Sequence, residues 1–168
     1  MGLDQLKALN PKGIIFTGGP QSVYKEESQH IDPAIFSMGI PILGICYGAQ
    51  LIAYELGGVV KTAPVSEYGH TKVLVDRQDS VLQGISDETT MWMSHTDYIA
   101  EVPEGFHIIA HTADCPVAGM EDPARQIYAV QFHPEVQHSV EGHKLFHNFL
   151  YEVCKCAGDW KMETFVQD

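Results

Sequence analysis

The sequence lacks the features that would direct it to a membrane or to a nucleic acid. No apolar run approaches the roughly 20 residues needed to cross a bilayer, and residues 1–12 contain no apolar core of a signal peptide. Lys and Arg number only 10 against 22 Asp and Glu, for a net charge of −12. Because nucleic acids and anionic membranes are bound by clusters of basic side chains, this balance argues against both as partners.

Cysteine is also scarce. The four residues of this type are Cys46, Cys115, Cys154 and Cys156, which is far below the density of a secreted disulfide framework. We therefore expect a reducing, cytoplasmic setting, in which a free thiol can serve as a chemical reagent.

No metal site is predicted. Cys154 and Cys156 are separated by one residue, whereas metal-binding cysteine pairs need at least two. His143 and His147 have the i, i+4 spacing of zinc ligands, but the sequence places no clear third ligand on the same helix face.

The chain contains no repeat, low-complexity tract or linker that would divide it. We expect a single domain over residues 1–168. Residues 157–168 are predicted to be a connector, because Trp160 and Phe165 stand in an otherwise polar segment.

The order of apolar segments predicts an α/β fold. Apolar runs bounded by glycine and proline predict buried strands at 13–17, 40–45 and 127–132. Helical spacing predicts helices at 3–9, 50–56 and 141–153. Continuous apolar strands alternating with helices indicate a three-layer sandwich around a mostly parallel central sheet, similar to flavodoxin. From residue 71 onward, several further strands follow one another.

The segment 44–48, Gly-Ile-Cys-Tyr-Gly, places Cys46 between a buried strand and a helix. This is the G-x-S-x-G nucleophile elbow with cysteine in the position of serine. The flanking glycines relieve the crowding of a sharp turn, and the N-terminus of the following helix favours a thiolate. The Tyr47 amide would point towards the oxyanion that forms when a carbonyl is attacked. A buried structural cysteine is the alternative interpretation.

His133 is the candidate base among nine histidines. It directly follows the strand 127–132, so a parallel sheet would bring it to the same edge as Cys46. Glu135 can accept the proton on the far ring nitrogen and fix the orientation of the ring. The three residues therefore predict a cysteine nucleophile with a base and an orienting carboxylate. Without Cys46, a structural histidine at a strand end would be the better interpretation.

Two further polar segments are candidates for substrate contacts. Gly19 lies in the segment 17–20, Thr-Gly-Gly-Pro, which is either a second oxyanion donor or a simple turn. Ser94, His95 and Asp97 lie in a polar segment predicted as a loop between apolar strands, which either contacts a substrate or has no such role. His95 with Asp97 is a second candidate base pair, but no strand end positions it as clearly as His133.

Three motifs in this order resemble the class I glutamine amidotransferase family. They are Gly-Gly-Pro at 18–20, Gly-Ile-Cys-Tyr-Gly at 44–48 with Gln50, and Phe-His-Pro-Glu at 132–135. The motifs span most of the chain, and their order makes a chance match implausible.

Within this family the resemblance is greatest to the glutaminase domains of GMP synthetases. The residues that carry it include Tyr47, the Glu-Tyr-Gly of 67–69, Val136 and the Asp-Trp of 159–160. The Ser-His-Thr-Asp of 94–97 also matches, except that similar sequences usually have glycine where this chain has threonine.

The resemblance implies a hydrolase of L-glutamine. The side-chain amide of glutamine would be attacked by Cys46 to give a γ-glutamyl thioester and ammonia, and water activated by His133 would release glutamate. Gly19 and Tyr47 would supply the oxyanion hole. The residues that the resemblance assigns to holding glutamine are Gln50, Ser94, His95 and Asp97.

The resemblance also implies a partner. Ammonia would pass to an ATP-pyrophosphatase (synthetase) domain or subunit, which uses ATP and Mg²⁺ to aminate XMP to GMP in purine biosynthesis. This sequence has no Ser-Gly-Gly-x-Asp-Ser pyrophosphatase loop. The resemblance therefore implies that residues 157–168 connect to a synthetase domain that this sequence does not contain. We therefore expect no cofactor in this domain.

The family begins with a strand, a helix and a second strand before anything like residues 3–9. The resemblance thus implies a chain that starts after these elements, leaving an unpaired sheet edge that self-association would cover. An inactive docking module for a synthetase chain is the alternative function.

Overall fold

The computed structural model describes residues 8, 12–16, 33–76, 80–134, 136 and 139–154. Within these residues the chain forms seven strands and two α-helices. The strands are β1 (Ile14–Phe16), β2 (Ile42–Ile45), β3 (Val59–Val75), β4 (Glu88–Glu101), β5 (His107–His111), β6 (Gly119–Asp122) and β7 (Ile127–Val130). The helices are α1 (Tyr47–Glu55) and α2 (Gly142–His147), the latter continued by a π-helical segment, Asn148–Val153. Short 3-10 turns lie at Pro33–Ser37 and Ser80–Leu82. Every helix among these residues is too short to cross a bilayer as an apolar span.

The strands form one mixed sheet in the order β1-β2-β7-β6-β5-β3-β4. The pairs β1–β2 and β2–β7 are parallel, and the remaining pairs are antiparallel. The predicted α/β class is confirmed, but the sheet is mixed and not mostly parallel as the sequence predicted. Parallel pairing is limited to β1, β2 and β7, the three strands nearest Cys46. Short connections favour antiparallel pairing, because a parallel crossover needs a dozen or more residues. The turn 123–126 between β6 and β7 is an example.

Helices cover the two faces of the parallel strands. Leu43 on β2 packs in one buried cluster with Leu145 and Phe149 of the C-terminal helical segment. Ile42, one residue earlier and therefore on the opposite face, packs with Ala49 and Ile52 of α1. The alternation of the strand thus gives the three layers that the sequence predicted.

The predicted strands and helices are found, with two corrections. The segment predicted as a polar loop at 94–97 lies inside β4, because it continues the ladder with β3 through the pairs Tyr68–Ser94 and Glu67–His95. The predicted closing helix at 141–153 divides into α2 and the π-helical segment. The predicted helix at 3–9, apart from residue 8, and the connector at 157–168 lie outside the described residues. The single-domain organisation and the self-association at the sheet edge remain predictions.

Glu141 ties the start of α2 to the loop before β4. Its carboxylate accepts hydrogen bonds from the Lys144 ammonium at 2.8 Å and from the Ser86 backbone amide at 3.3 Å. Burial raises the pKa of the Glu141 carboxyl, but the hydrogen bonds from Lys144 and Ser86 and the charge of Lys144 outweigh it. The pKa therefore lies below the ordinary value of 4.5.

Because the pKa of the Glu141 carboxyl is lower in the folded chain than in the unfolded chain, the carboxylate stabilises the fold at pH values above its unfolded pKa. This stabilisation is lost as the pH falls through the lower pKa of the folded chain. We expect Glu141→Gln to lower the free energy of unfolding by about 1 kcal/mol at neutral pH, and by less below about pH 4.5. Urea denaturation across this pH range measures the difference. Glu104→Gln, at an exposed position, is the control, and an equal loss in both variants at all pH values would contradict the prediction.

The two-sided burial of β2 predicts a contrast between two isoleucines. Ile42 is fully buried and Ile108 on β5 is 40% exposed. Ile42→Ala should lower the free energy of unfolding by about 2–5 kcal/mol because it leaves a cavity, whereas Ile108→Ala should cost less than about 1 kcal/mol. Denaturant unfolding with an unchanged m-value is the measurement. Similar losses in the two variants would show that β2 is not the core of the sheet.

Candidate active site

Cys46 occupies a strained turn between β2 and α1. Its backbone has φ 54° and ψ −107°, a conformation that non-glycine residues rarely adopt and that costs about 1–3 kcal/mol. A Cβ atom on Gly48 would lie 2.3 Å from the carbonyl oxygen of Phe16 on β1. One on Gly44 would lie 2.6 Å from the Cδ1 atom of Ile52. The two glycines therefore allow β1 and α1 to approach the turn closely, as the elbow pattern predicted.

Backbone hydrogen bonds hold this turn in place. The Cys46 amide donates to the Val130 carbonyl on β7 at 2.8 Å. The Cys46 carbonyl accepts from the Ala49 and Gln50 amides at 3.0 and 3.1 Å, so Cys46 is the N-cap of α1. The partial positive charge at the start of α1 therefore lies beside Cys46, where it favours an anion.

The sulfur of Cys46 is nearly enclosed, since the residue is only 6% exposed. Its thiol donates to the backbone carbonyl of Ser94 on β4 at 3.5 Å. The Gln131 side-chain amide donates to Sγ at the same distance of 3.5 Å. The sulfur is thus contacted by one acceptor and one donor.

His133 reaches the same edge of the sheet from the neighbouring parallel strand. Ile45 pairs with Val130 at the end of the β2–β7 ladder, and Cys46 and His133 follow these two residues. The His133 amide donates to the Trp92 carbonyl on β4 at 2.8 Å. Because β4 also supplies the Ser94 carbonyl, one strand contacts both the sulfur and the backbone of the candidate base.

Ser139 fixes the segment that carries His133. Its hydroxyl donates to the His133 carbonyl at 2.5 Å and accepts from the Trp92 amide at 2.9 Å. The residue is 6% exposed. The serine therefore joins the end of β7 to β4 at the two residues that form the bridge between them.

A buried polar network lies behind the sulfur. The Gln50 side-chain amide donates to the Asp97 carbonyl at 2.9 Å and to the Gln131 side-chain oxygen at 3.1 Å. The ring of His95 donates from Nδ1 to the same Asp97 carbonyl at 2.7 Å, since a carbonyl can only accept. The Asp97 carboxylate accepts from the Thr62 hydroxyl at 3.2 Å. Both hydrogens of the Gln50 side-chain amide are donated to acceptors within the protein. Gln50 can therefore contact a substrate only through its side-chain oxygen.

The structure therefore brings together most of the residues that the sequence singled out. Cys46, His133 and the Ser94–Asp97 part of β4 meet at one edge of the sheet, and Gln50 joins them from α1. Gly19 and Glu135 lie outside the described residues. The catalytic, oxyanion-hole and substrate-binding roles of all these residues remain predictions.

Two buried polar residues of this site were not singled out from the sequence. Gln131 is fully buried, and its one signal was a polar residue inside the apolar run 127–132. Ser139 had no signal of its own, because its partners on β4 and β7 are joined only by the tertiary structure. Among the described residues, no group of three or more His, Cys, Asp or Glu side chains is placed to hold a metal ion, and the absence of a metal site remains a prediction.

The family comparison decides the classification. The glutamine amidotransferase class-I family matches residues 2–153, which is most of the chain. The chain belongs to this family. A crystal structure from Thermoplasma acidophilum, of a protein provisionally assigned as one subunit of a GMP synthase, superimposes with a TM-score of 0.81 at 35% identity. The match covers 91% of this amidotransferase chain and 77% of that one.

Curated relatives of this amidotransferase are longer proteins. The glutamine-hydrolysing GMP synthase of Clostridium botulinum strain Alaska E43 is 58% identical over 167 residues, which are 99% of this chain and 33% of that protein. The corresponding enzyme of Lachnospira eligens is 52% identical over 166 residues, covering 99% and 32%. The chain therefore spans about a third of the length of these relatives.

The Ser139 hydroxyl should be needed for the position of the His133 segment. Ser139→Ala removes both of its hydrogen bonds and should lower the free energy of unfolding by about 1–3 kcal/mol, because buried backbone groups lose a partner. The Trp92 amide should also exchange faster with deuterium, while Ser139→Thr, which keeps the hydroxyl, should restore much of the protection. Ser37→Ala, at an exposed position, is the control. Unchanged Trp92 exchange in Ser139→Ala would contradict this role.

Proposed function

We propose that this chain is the glutaminase part of a glutamine-hydrolysing GMP synthase, with Cys46 as nucleophile and His133 as base. It would convert L-glutamine to glutamate and ammonia. The family, the 58% identity to a GMP synthase and the arrangement at the carboxyl edge of β2 and β7 support this proposal.

The observation that carries the proposal is the strained conformation of Cys46. A residue held at φ 54° and ψ −107°, between a buried strand and the N-terminus of a helix, has a cost that a purely structural cysteine does not require. The turn presents the sulfur at the end of the strand and beside the first amides of α1. The alternative of an inert, buried structural cysteine leaves this strain unexplained.

The reaction proceeds in two halves. The Cys46 thiol gives its proton to His133, and the sulfur bonds to the amide carbon of glutamine while the carbonyl oxygen becomes an oxyanion. His133 then protonates the nitrogen, the carbon–nitrogen bond breaks, and ammonia leaves a γ-glutamyl thioester. Water next gives a proton to His133 as its oxygen bonds to the same carbon. The carbon–sulfur bond breaks, which releases glutamate and restores Cys46.

The surrounding groups have separate tasks in this proposal. The Tyr47 amide, the first of α1, and the backbone at Gly19 stabilise the oxyanion. Glu135 orients the His133 ring. The residues that hold the glutamine are Gln50, Ser94, His95 and Asp97.

The product ammonia requires an acceptor. We propose that it passes to an ATP-pyrophosphatase (synthetase) portion or subunit, which uses ATP and Mg²⁺ to convert XMP to GMP in the cytoplasm. Support comes from the GMP synthase relatives, of which this chain matches only about a third. The cysteines that the structure describes, Cys46, Cys115 and Cys154, are thiols and not disulfides, which fits a reducing compartment.

Covalent trapping with the glutamine analogue 6-diazo-5-oxo-norleucine tests the nucleophile. We expect one equivalent to add to Cys46, seen by intact mass and peptide mapping, and free glutamine to protect against it. Cys46→Ala should abolish labelling and glutamine hydrolysis. His133→Ala should slow hydrolysis by about 10²–10⁴-fold, the usual contribution of a general acid–base.

Two controls accompany this test. Cys115→Ala removes another buried cysteine and His107→Ala an exposed histidine, and neither should change labelling at Cys46. If the Cys46→Ala variant folds and hydrolyses glutamine as fast as the parent chain, Cys46 is not the nucleophile. If the parent chain folds but is neither labelled at Cys46 nor able to hydrolyse glutamine, the docking module is favoured instead.

A further inference from the structure

Gln131 is a polar residue with no exposed surface at the end of β7. Its relative exposure is 0%, and its neighbour Phe132 is also fully buried. Burying a side-chain amide costs free energy unless its donors and acceptor are matched by partners. The partners of Gln131 therefore show what this position requires.

The orientation of the Gln131 amide follows from a chain of hydrogen bonds that begins at a backbone carbonyl. The Asp97 carbonyl can only accept, so the group of Gln50 that lies 2.9 Å from it is the amide nitrogen. The same nitrogen lies 3.1 Å from the end of the Gln131 side chain. Because this nitrogen can only donate, the Gln131 oxygen must face Gln50. The Gln131 NH₂ group is then directed at Cys46 Sγ, 3.5 Å away.

The two contacts of the sulfur have opposite effects on its protonation. The Ser94 carbonyl accepts from the thiol at 3.5 Å and therefore stabilises the protonated form. The Gln131 amide can only donate from its nitrogen, and a donor of this kind interacts more strongly with an anion than with a neutral sulfur. Hydrogen bonding to the charged form favours that form.

We propose that Gln131 is a thiolate-stabilising residue, held in its donor orientation by Gln50, that raises the thiolate fraction of Cys46. This inference rests on the proposed role of Cys46 as the nucleophile. It assigns to Gln50 a positioning role, since Gln50 acts on the sulfur through Gln131.

Other charged or titratable groups lie on the elements around the sulfur. Among the described residues nearest to Cys46 along these elements they are Tyr47 on α1, His95 and Asp97 on β4, and His133 after β7. Their contribution to the titration of Cys46 is common to all the variants below, which leave these side chains unchanged. A difference between variants therefore reports the change at position 131 or 50.

The test measures the pH dependence of iodoacetamide alkylation at Cys46, resolved by peptide mapping so that other thiols do not contribute. Gln131→Met has a similar length but no donor. We expect the midpoint of its profile to move upward by about one pH unit, which is a tenfold smaller thiolate fraction at a fixed pH below the midpoint. The ultraviolet absorbance of the thiolate, taken as the difference from the matching Cys46→Ala variant, provides the same midpoint without requiring access of a reagent.

Gln131→Glu keeps the shape and the acceptor for Gln50 but replaces the donor with a carboxyl group. Because the carboxyl is the stronger acid of the pair, the negative charge resides on it and the thiol keeps its proton. We expect an upward shift larger than in Gln131→Met. Gln131→Leu, which also lacks a donor and should shift the midpoint as Gln131→Met does, keeps the proposal testable if Gln131→Met does not fold.

Gln50→Met and Gln83→Met complete the series. Gln50→Met leaves the Gln131 donor present but less well oriented, so its shift should be smaller than that of Gln131→Met. Gln83→Met, at an exposed position, should leave the midpoint unchanged. Unshifted midpoints in the variants without a donor, Gln131→Met and Gln131→Leu, would overturn the proposal. A Gln50→Met shift as large as that of Gln131→Met would also overturn it.

The outcome is separable from that of the proposed function. Alkylation and absorbance report the ionisation of Cys46 whether or not the chain hydrolyses glutamine. If Cys46→Ala retained hydrolysis, the proposed function would fail, while shifted midpoints at position 131 would still show that Gln131 stabilises the thiolate.

Discussion

The strained turn at Cys46 is the constraint on which the rest of the site depends. A backbone conformation that costs about 1–3 kcal/mol persists only where its surroundings leave no alternative. Here the Cys46 amide is bound to Val130 on the neighbouring strand, and Gly48 packs so closely on β1 that a single added carbon would meet the Phe16 carbonyl at 2.3 Å. The turn is therefore held from both sides, by β7 and by β1, and α1 begins directly after it.

The curvature of the sheet completes the site. In the order of strands, β4 lies at the opposite end from β1. Nevertheless its Ser94 carbonyl contacts the Cys46 sulfur and its Trp92 carbonyl binds the His133 amide. The antiparallel strands thus curl back over the carboxyl ends of β2 and β7 and supply groups that the three parallel strands do not have. Ser139 secures this contact by joining Trp92 to His133.

The enclosed polar network has a consequence for chemistry. Gln50, Gln131 and the Asp97 carbonyl form a continuous series of hydrogen bonds that ends at the sulfur. Such groups strengthen one another in an interior of low dielectric constant, and a series that is fully satisfied fixes one geometry. The environment of the Cys46 sulfur is therefore set by neutral amides and a helix terminus.

Much of this could be predicted from the sequence, because it depends on local patterns. Glycines around Cys46 indicated a sharp turn, continuous apolar runs indicated buried strands, and the strand end before His133 placed a base at the same edge. Each of these signals lies within a few residues, where steric limits on the backbone and the burial of apolar side chains act directly. The family followed from the same short motifs.

The tertiary structure alone decided what separate parts of the chain do to one another. Residues 94–97 were predicted to be a loop because they are polar and lie between apolar segments. Pairing with β3 nevertheless makes them part of a strand. The antiparallel majority of the sheet depends on connection lengths and pairing partners, which no single segment encodes. Gln131 looked like one polar residue in an apolar run, and it gained its meaning only because Gln50, 81 positions away, turns its amide towards the sulfur. Contacts between residues distant in sequence are set by the packing of whole elements, which is why local patterns could not predict them.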